Sequence, residues 1–522
     1  MTMRRCEALY GNRHDLKNVM YILETVESYE NGGNVYISAN YLFSLCQRKN
    51  PKLSFETFAN DLADLFRLKI LTAEENRIYL TETWRYEERA ADALALLSTL
   101  PPLPAVTVPA GLVVNGKALC NEQRDAVQVA LSHRLSMVLG GAGCGKSTLI
   151  RAIVQCSGVH AMQTVLCAPT GKAARVLTAH TGIQARTVHS ALGVLPNEDF
   201  LLPVAWNLIR LVIVDEASMM TLGMLAGILN RVPDDCRVVL LGDPNQLLSV
   251  GSGNVIPDLR ELDIPRAHLG INHRLAKGSV ALMKNVQDFT HIRSEAQMLY
   301  DDSFRIDEME TDEEVQRRLV SVAAASYLEW DWEGIQVLTP FRDKGPLSAV
   351  QLNEIIRAKV NPINKKKKIL KLKDRVFVDG DRVIITQNER ENNVSNGDVG
   401  ILHIWRTTKN DWKYSIELPD GRRPVWEGPA ARVALEDVEL AYALTVHKSQ
   451  GSEYELILMP LTQSMNCMLY RNLLYTAISR ARQCVCIYGS RQAIDTALQC
   501  ELRQRFSKLV QKTQKRQALQ SR

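Results

Sequence analysis

The chain has 522 residues, 46% hydrophobic and 23% charged, which is too long for one core and too apolar for a disordered or collagen-like polymer. Its 63 Lys and Arg against 58 Asp and Glu leave a formal charge of +5, which permits a polyanionic partner without demanding one. No apolar run reaches the ~20 residues a bilayer needs, and the start "MTMRRCEALYGNRHD" has no signal-peptide core, so a cytoplasmic location and no membrane association are expected.

In chain order, "DLKNVMYILETVESYE" and "SFETFANDLADLFRLKIL" carry helical apolar spacing, and "NVYIS" and "NRIYLT" alternate as strands do. Helix, helix, strand pair predicts a winged-helix-like N-terminal domain, a shape that binds nucleic acid or another protein. The Pro-rich "TLPPLPAVTVPAGLV" that follows predicts a linker. From about Leu119, "LSMVLGG", "QTVLCAPT", "RLVIVDEAS" and "CRVVLLGD" alternate with helical segments. Apolar runs of this kind are strands of a parallel sheet covered on both faces, with ligands expected at their C-terminal ends. "GIQVLTP", "LAYALTVHKSQG", "YELILMP" and "CVCIYGS" predict a second such sheet. Between them, "DRVIITQ", "VGILHIW" and "KYSIELP" alternate and predict a small antiparallel barrel near 370–438. The basic end "ELRQRFSKLVQKTQKRQALQSR" has helical spacing at Leu502, Phe506, Leu509 and Val510. The eleven cysteines are scattered without a CxxC pair, so buried thiols are expected rather than disulfides or a zinc site.

The segment "VLGGAGCGKSTLI" fits G-x-x-x-x-G-K-[ST] over Gly140, Gly145, Lys146 and Ser147. Glycines such as Gly143 let backbone N–H groups converge on a phosphate, the helix N-terminus favours the anion, and Thr148 joins the nucleotide-binding residues. Lys146 adds a point charge, and the Ser147 hydroxyl suits Mg2+. Directly after the apolar strand in "LVIVDEAS" come Asp215, placed to hold the metal, and Glu216, placed to orient and deprotonate water. "GDPNQ" brings Asp243 and the γ-phosphate-sensing Gln246, and "NHR" and "ISRAR" offer Arg274 and Arg480 for the charge that phosphoryl transfer develops.

In order along the chain stand "NEQRDAV", "GGAGCGKST", "APTGKAARVL", "RTVHSALG", "LVIVDEASM", "LLGDPNQLLSVGSGNV", "NHR", "VLTPFR", "NGDVGIL", "LTVHKSQGSEY" and "YTAISRAR". The series resembles the motifs of the RecD family, superfamily-1 DNA helicases of the 5′→3′ branch, over about residues 20–490. The resemblance implies two RecA-like motor domains that bind ATP and Mg2+ between them. It implies adenine recognition by Gln123, nucleotide contacts from Gly451 and Glu453, and a track for single-stranded DNA along Thr170, His189, Thr339, Thr445 and His447. It also implies a short pin near 193–204 that splits the duplex. Three departures stand out: His273 replaces the aromatic usual before the motif arginine, the pin is short, and the extra N-terminal region of longer members finds no room.

The expected layout is therefore α/β: a winged-helix-like domain at 1–105, a motor domain at 106–271, a second at 272–498 carrying the barrel, and a basic tail at 499–522. The expected activity is ATP-dependent 5′→3′ unwinding of single-stranded and partially duplex DNA. A protein or nucleoprotein partner, in repair or in plasmid, phage or CRISPR-type defence, would recruit the motor through the N-terminal domain or the tail. The alternative is an ATP-gated single-strand-binding subunit that unwinds little by itself. "DWK" at 411–413 has the ending of a nuclease signature but no upstream acid, and reads as a turn.

Overall fold

The computed structural model describes residues 16–104, 106–114, 116–193, 204–271, 279–329, 332–372, 375–389, 391–407, 411–501 and 505–520. The pin, apart from Gly193 and Val204, lies outside them, as do His273 and Arg274.

Two all-parallel sheets form the body. The first runs Arg266–Leu269, Leu135–Gly140, Arg237–Gly242, Leu211–Val214, Thr164–Ala168, Ala185–Thr187 across its six strands. Its central strands are buried end to end, as two-sided helical cover requires. Alternate residues feed opposite cores: Met137, Val212 and Leu240 lie in one, Val138, Ile213 and Val239 in the other. The second sheet runs Phe304–Glu308, Ala481–Gly489, Tyr454–Leu461, Ile335–Thr339, Ala443–Thr445.

A five-stranded antiparallel sheet, ordered Val425–Glu427, Trp412–Glu417, Val399–Thr407, Arg382–Ile385, Val438–Leu440, interrupts the second lobe before Ala443. Arg382, 2% exposed, roots it in that lobe by donating to the Tyr327 hydroxyl, the Ile335 carbonyl and Gln336 Oε1 at 2.7–2.9 Å. The insert also reaches the first lobe through an Arg175–Asp398 ion pair. Lys413 lies in its sheet, its amine 2.6 Å from Glu427.

The N-terminal segment holds helices Leu16–Asn31, Ala39–Lys49 and Phe55–Arg67 and a sheet ordered Ile37–Ser38, Arg77–Leu80, Leu71–Glu74, whose first strand lies between the first two helices. A further helix, Thr81–Leu97, packs on the first lobe at Leu222–Leu229.

The basic C-terminal segment departs from a free tail. Its helix starts only at Leu509 and lies along Thr81–Leu97. Lys512 sits 2.7–2.9 Å from Glu74, Glu87 and Glu88, and Arg516 pairs with Glu88 and Asp92. Phe506 precedes the helix and packs on Tyr29 and Tyr36. Arg505 donates to the carbonyls of Ser249, Gly251 and Gly253. Arg505, Lys512 and Arg516 thus spend their charge on acidic and carbonyl partners within the chain.

Candidate active site

The strand Leu135–Gly140 delivers the phosphate loop and the helix Lys146–Ser157 carries the chain away. Gly143 and Gly145 both take φ of 80°, where a side chain would be strained, so the loop can be built only with glycine there. The Lys146 amine turns back on the Gly140 and Gly141 carbonyls at 2.7 and 3.1 Å. Burial opposes its charge, but the Cys144 thiol and the carboxyls of Asp243, Glu216 and Asp215 outweigh it and hold its pKa above the usual lysine value.

At the end of the strand Leu211–Val214, one strand beyond the loop strand's neighbour Arg237–Gly242, burial and then the Glu216 charge push the Asp215 carboxyl up to about 6, against the pull of Lys146. Asp215 accepts the Glu216 N–H at 2.9 Å. Glu216 adopts φ 51°, a left-handed conformation costly for a non-glycine residue and typical of functional turns. Its Oε2 is buried without a hydrogen-bond partner, as is Oε1 of Gln246. Groups of this kind cost free energy when nothing satisfies them, so they suit a polar ligand. Ser147 Oγ lies 3.2 Å from His180 Nδ1.

A cavity of about 740 Å³ gathers the loop from Gly141 to Thr148 with Asp215, Glu216 and Gln246 of the first lobe. The second lobe lines the same space with Gly451, Glu453 and Arg480. Arg480 is 4% exposed, and Glu453 is held by Arg482 at 3.0 Å. Arg482, Lys172 and His180 also line the cavity and were not singled out from sequence. Only their position across the fold marks them.

Gly140 and Gln123 do not line this cavity. Gln123 is 5% exposed at the start of the helix Asn121–Ser132, and its Oε1 accepts the Cys120 N–H at 3.3 Å. The strand-track residues lie outside the cavity too. Thr170 caps the helix Gly171–Thr181, taking the Ala173 N–H at 3.3 Å, and His189 is half-buried in the turn after Ala185–Thr187. Thr445, which ends the edge strand Ala443–Thr445 of the second sheet, and His447, just after it, are both half-buried. Thr339 corrects the expectation: it is 0% exposed and its hydroxyl donates to the Leu347 carbonyl at 2.6 Å, so it closes a turn rather than offering a contact.

A phosphate loop on one parallel sheet, with carboxylates at another strand end of that sheet and an arginine reaching in from the second lobe, defines a two-lobed P-loop nucleotide hydrolase. Family models match in three places: an AAA domain over residues 118–311, the SH3 domain of ATP-dependent RecD-like DNA helicases over 352–415, and a UvrD-like helicase C-terminal domain over 440–488. The ATP-dependent RecD2 DNA helicase of Deinococcus radiodurans is 32% identical over 441 residues, covering 83% of this chain and 58% of that protein. The RecBCD enzyme subunit RecD of Mycolicibacterium smegmatis is 29% identical, covering 81% and 80%. Among solved structures, Bacteroides Pif1 bound to single-stranded DNA aligns with a TM-score of 0.45 at 17% identity, over 73% of this chain and 94% of that one. The chain is thus similar to RecD-like ATP-dependent DNA helicases along most of its length, and it spans 58% of the Deinococcus radiodurans relative. Among the described residues no helix is long and apolar enough to cross a membrane.

Proposed function

We propose that this chain is an ATP-driven motor that moves 5′→3′ on single-stranded DNA and separates the duplex ahead of it. The observation that carries the proposal is the cavity in which Lys146, Asp215 and Glu216 face Arg480 from the other lobe. In this reading residues 1–105 are a winged-helix-like domain, 106–271 and 272–498 the motor domains, and the antiparallel insert a small barrel.

Lys146 and the N–H groups of the loop, from Gly140 through Gly143 and Gly145 to Thr148, hold the phosphates, and Gln123 reads adenine. Gly451 and Glu453 complete the nucleotide's surroundings. Ser147 and Asp215 are hard oxygen donors of the type Mg2+ takes, and that ion, when bound, offsets phosphate charge. Glu216 orients the attacking water and accepts its proton, for which its unsatisfied Oε2 is suited. Gln246 senses the γ-phosphate with its unsatisfied Oε1. Arg480 and Arg274 meet the charge that develops in the transition state.

Thr170 and His189 follow strands of the first sheet, and Thr445 and His447 lie at and just past the end of a strand of the second. Opening and closing the cleft changes the separation of these two pairs, which is how turnover becomes movement along a strand. Contacts of this type address the backbone and tolerate any sequence. The N-terminal domain or the basic C-terminal segment is the surface for a recruiting protein or nucleoprotein partner, in the cytoplasm.

The test is strand separation on partial duplexes with a 5′ or a 3′ single-stranded tail, beside a translocation assay. Unwinding from the 5′ tail alone is expected. The opposite preference overturns the direction, and ATP-gated binding without separation makes the chain a strand-holding subunit instead.

A further inference from the structure

Tyr475 lies on the second lobe's helix Arg471–Ile478 and is 1% exposed, yet its hydroxyl reaches the first lobe. It donates to Asp243 Oδ2 at 2.8 Å, and its oxygen takes the Ala142 N–H of the phosphate loop. A Cβ placed on Gly141 would stand 3.0 Å from that oxygen, so the loop passes the hydroxyl at contact distance.

Asp243 is a junction. It is 0% exposed, its Oδ1 takes the Asn245 N–H at 3.0 Å, and its backbone N–H and carbonyl both engage the Ser218 hydroxyl at 2.8–2.9 Å. Ser218 sits in the turn that Glu216 opens. The same helix grips both sides of Gln246: Asn472 Nδ2 donates to the Asn245 and Gln246 carbonyls, and Thr476 Oγ1 takes the Leu247 N–H at 2.9 Å. The helix ends at Ile478, two residues before Arg480. From the segment after His447, Gln450 Nε2 donates to the Leu247 carbonyl at 3.0 Å.

We propose that Tyr475 is the positioning residue by which the second lobe sets the Asp243 carboxylate and the phosphate loop, so that strand engagement at Thr445–His447 is transmitted to the Glu216 turn. The proposal rests on the motor reading above. Moving the lobes apart withdraws one hydroxyl from a buried carboxylate and from the loop together; closing them restores both bonds. Burial raises the Asp243 pKa, while Lys146 and the Tyr475 hydroxyl counter it. Burial and the Asp243 charge hold the phenol well above its usual value, so it stays a donor at any working pH.

Tyr475→Phe keeps the ring, which packs on Phe289 at a centroid distance of 5.0 Å, and deletes only the hydroxyl. A hydrogen bond to a charged group lost from a buried site corresponds to roughly a tenfold to hundredfold effect. In ATPase assays of the full chain with saturating oligothymidylate, Tyr475→Phe should lose about that factor in kcat. KM for ATP and affinity for the oligonucleotide should move by about twofold at most. Phe289→Leu is the packing control and should lower the melting temperature while keeping most of kcat. Parental kcat in Tyr475→Phe, or a kcat loss that only follows melting temperature as in Phe289→Leu, overturns the coupling role while the motor reading stands. A parent chain whose turnover ignores DNA overturns the motor reading and the coupling with it.

Discussion

Arg480 Nη1 donates to the Ser452 carbonyl at 3.4 Å, which ties the guanidinium to the segment holding Gly451 and Glu453. The arginine and that segment therefore move as one piece when the second lobe moves. If the charge Arg480 meets arises only during transfer, Arg480→Ala should lose on the order of 10³-fold in kcat with little change in ATP affinity. A raised KM at unchanged kcat would make it a ground-state binding residue.

Lys146→Ala should abolish ATP hydrolysis and leave single-strand affinity largely intact. The amine sits in the nucleotide cavity, and Thr170, His189, Thr445 and His447 lie outside its lining. Turnover and filter binding on the same preparation test this. Near-parental turnover would remove the basis of the active-site assignment.

The C-terminal helix should act as a structural clamp. Lys512 stands among Glu74, Glu87 and Glu88, and the Glu87 side chain is 0% exposed. Lys512→Ala strands a buried carboxylate, and breaking a buried pair costs on the order of 3 kcal/mol. Denaturant unfolding and limited proteolysis of the N-terminal domain should both register the loss. An unchanged midpoint would mean that the helix merely rests on the surface.

Asp258 gives the same junction a pH dependence. Burial drives its carboxyl up to about 7 despite hydrogen bonds from Ser507 and Asn254, with Glu87 and Glu261 adding to the rise. The folded state therefore binds the proton more tightly than the unfolded state, whose ordinary value is 3.8. Between these values the unfolded chain has already ionised, so stability falls as pH rises from about 4 and the loss is complete above about 7. Melting temperatures at pH 5 and 8 should fall further for the parent than for Asp258→Asn. Equal falls would refute the assignment.

What the sequence by itself determined are the features whose geometry is local. The phosphate loop needs eight consecutive residues, and the glycines at 143 and 145 are its backbone requirement written out. The central strands declare themselves because burial on both faces demands unbroken apolar runs, and Asp215, Glu216 and Gln246 are legible because they follow such runs closely. Arg266–Leu269 and Phe304–Glu308 escaped notice because each pairs on one side only and is partly exposed, so its pattern is weak. Tertiary structure alone decided the rest. Thr339 lies in a motif yet is turned inward by its bond to Leu347, and Lys512 of the basic end closes on Glu74, Glu87 and Glu88. Tyr475 meets Asp243 across 232 positions of chain. Periodicity records which face of an element is buried, but not which distant polar group waits there; that pairing exists only once the lobes have packed.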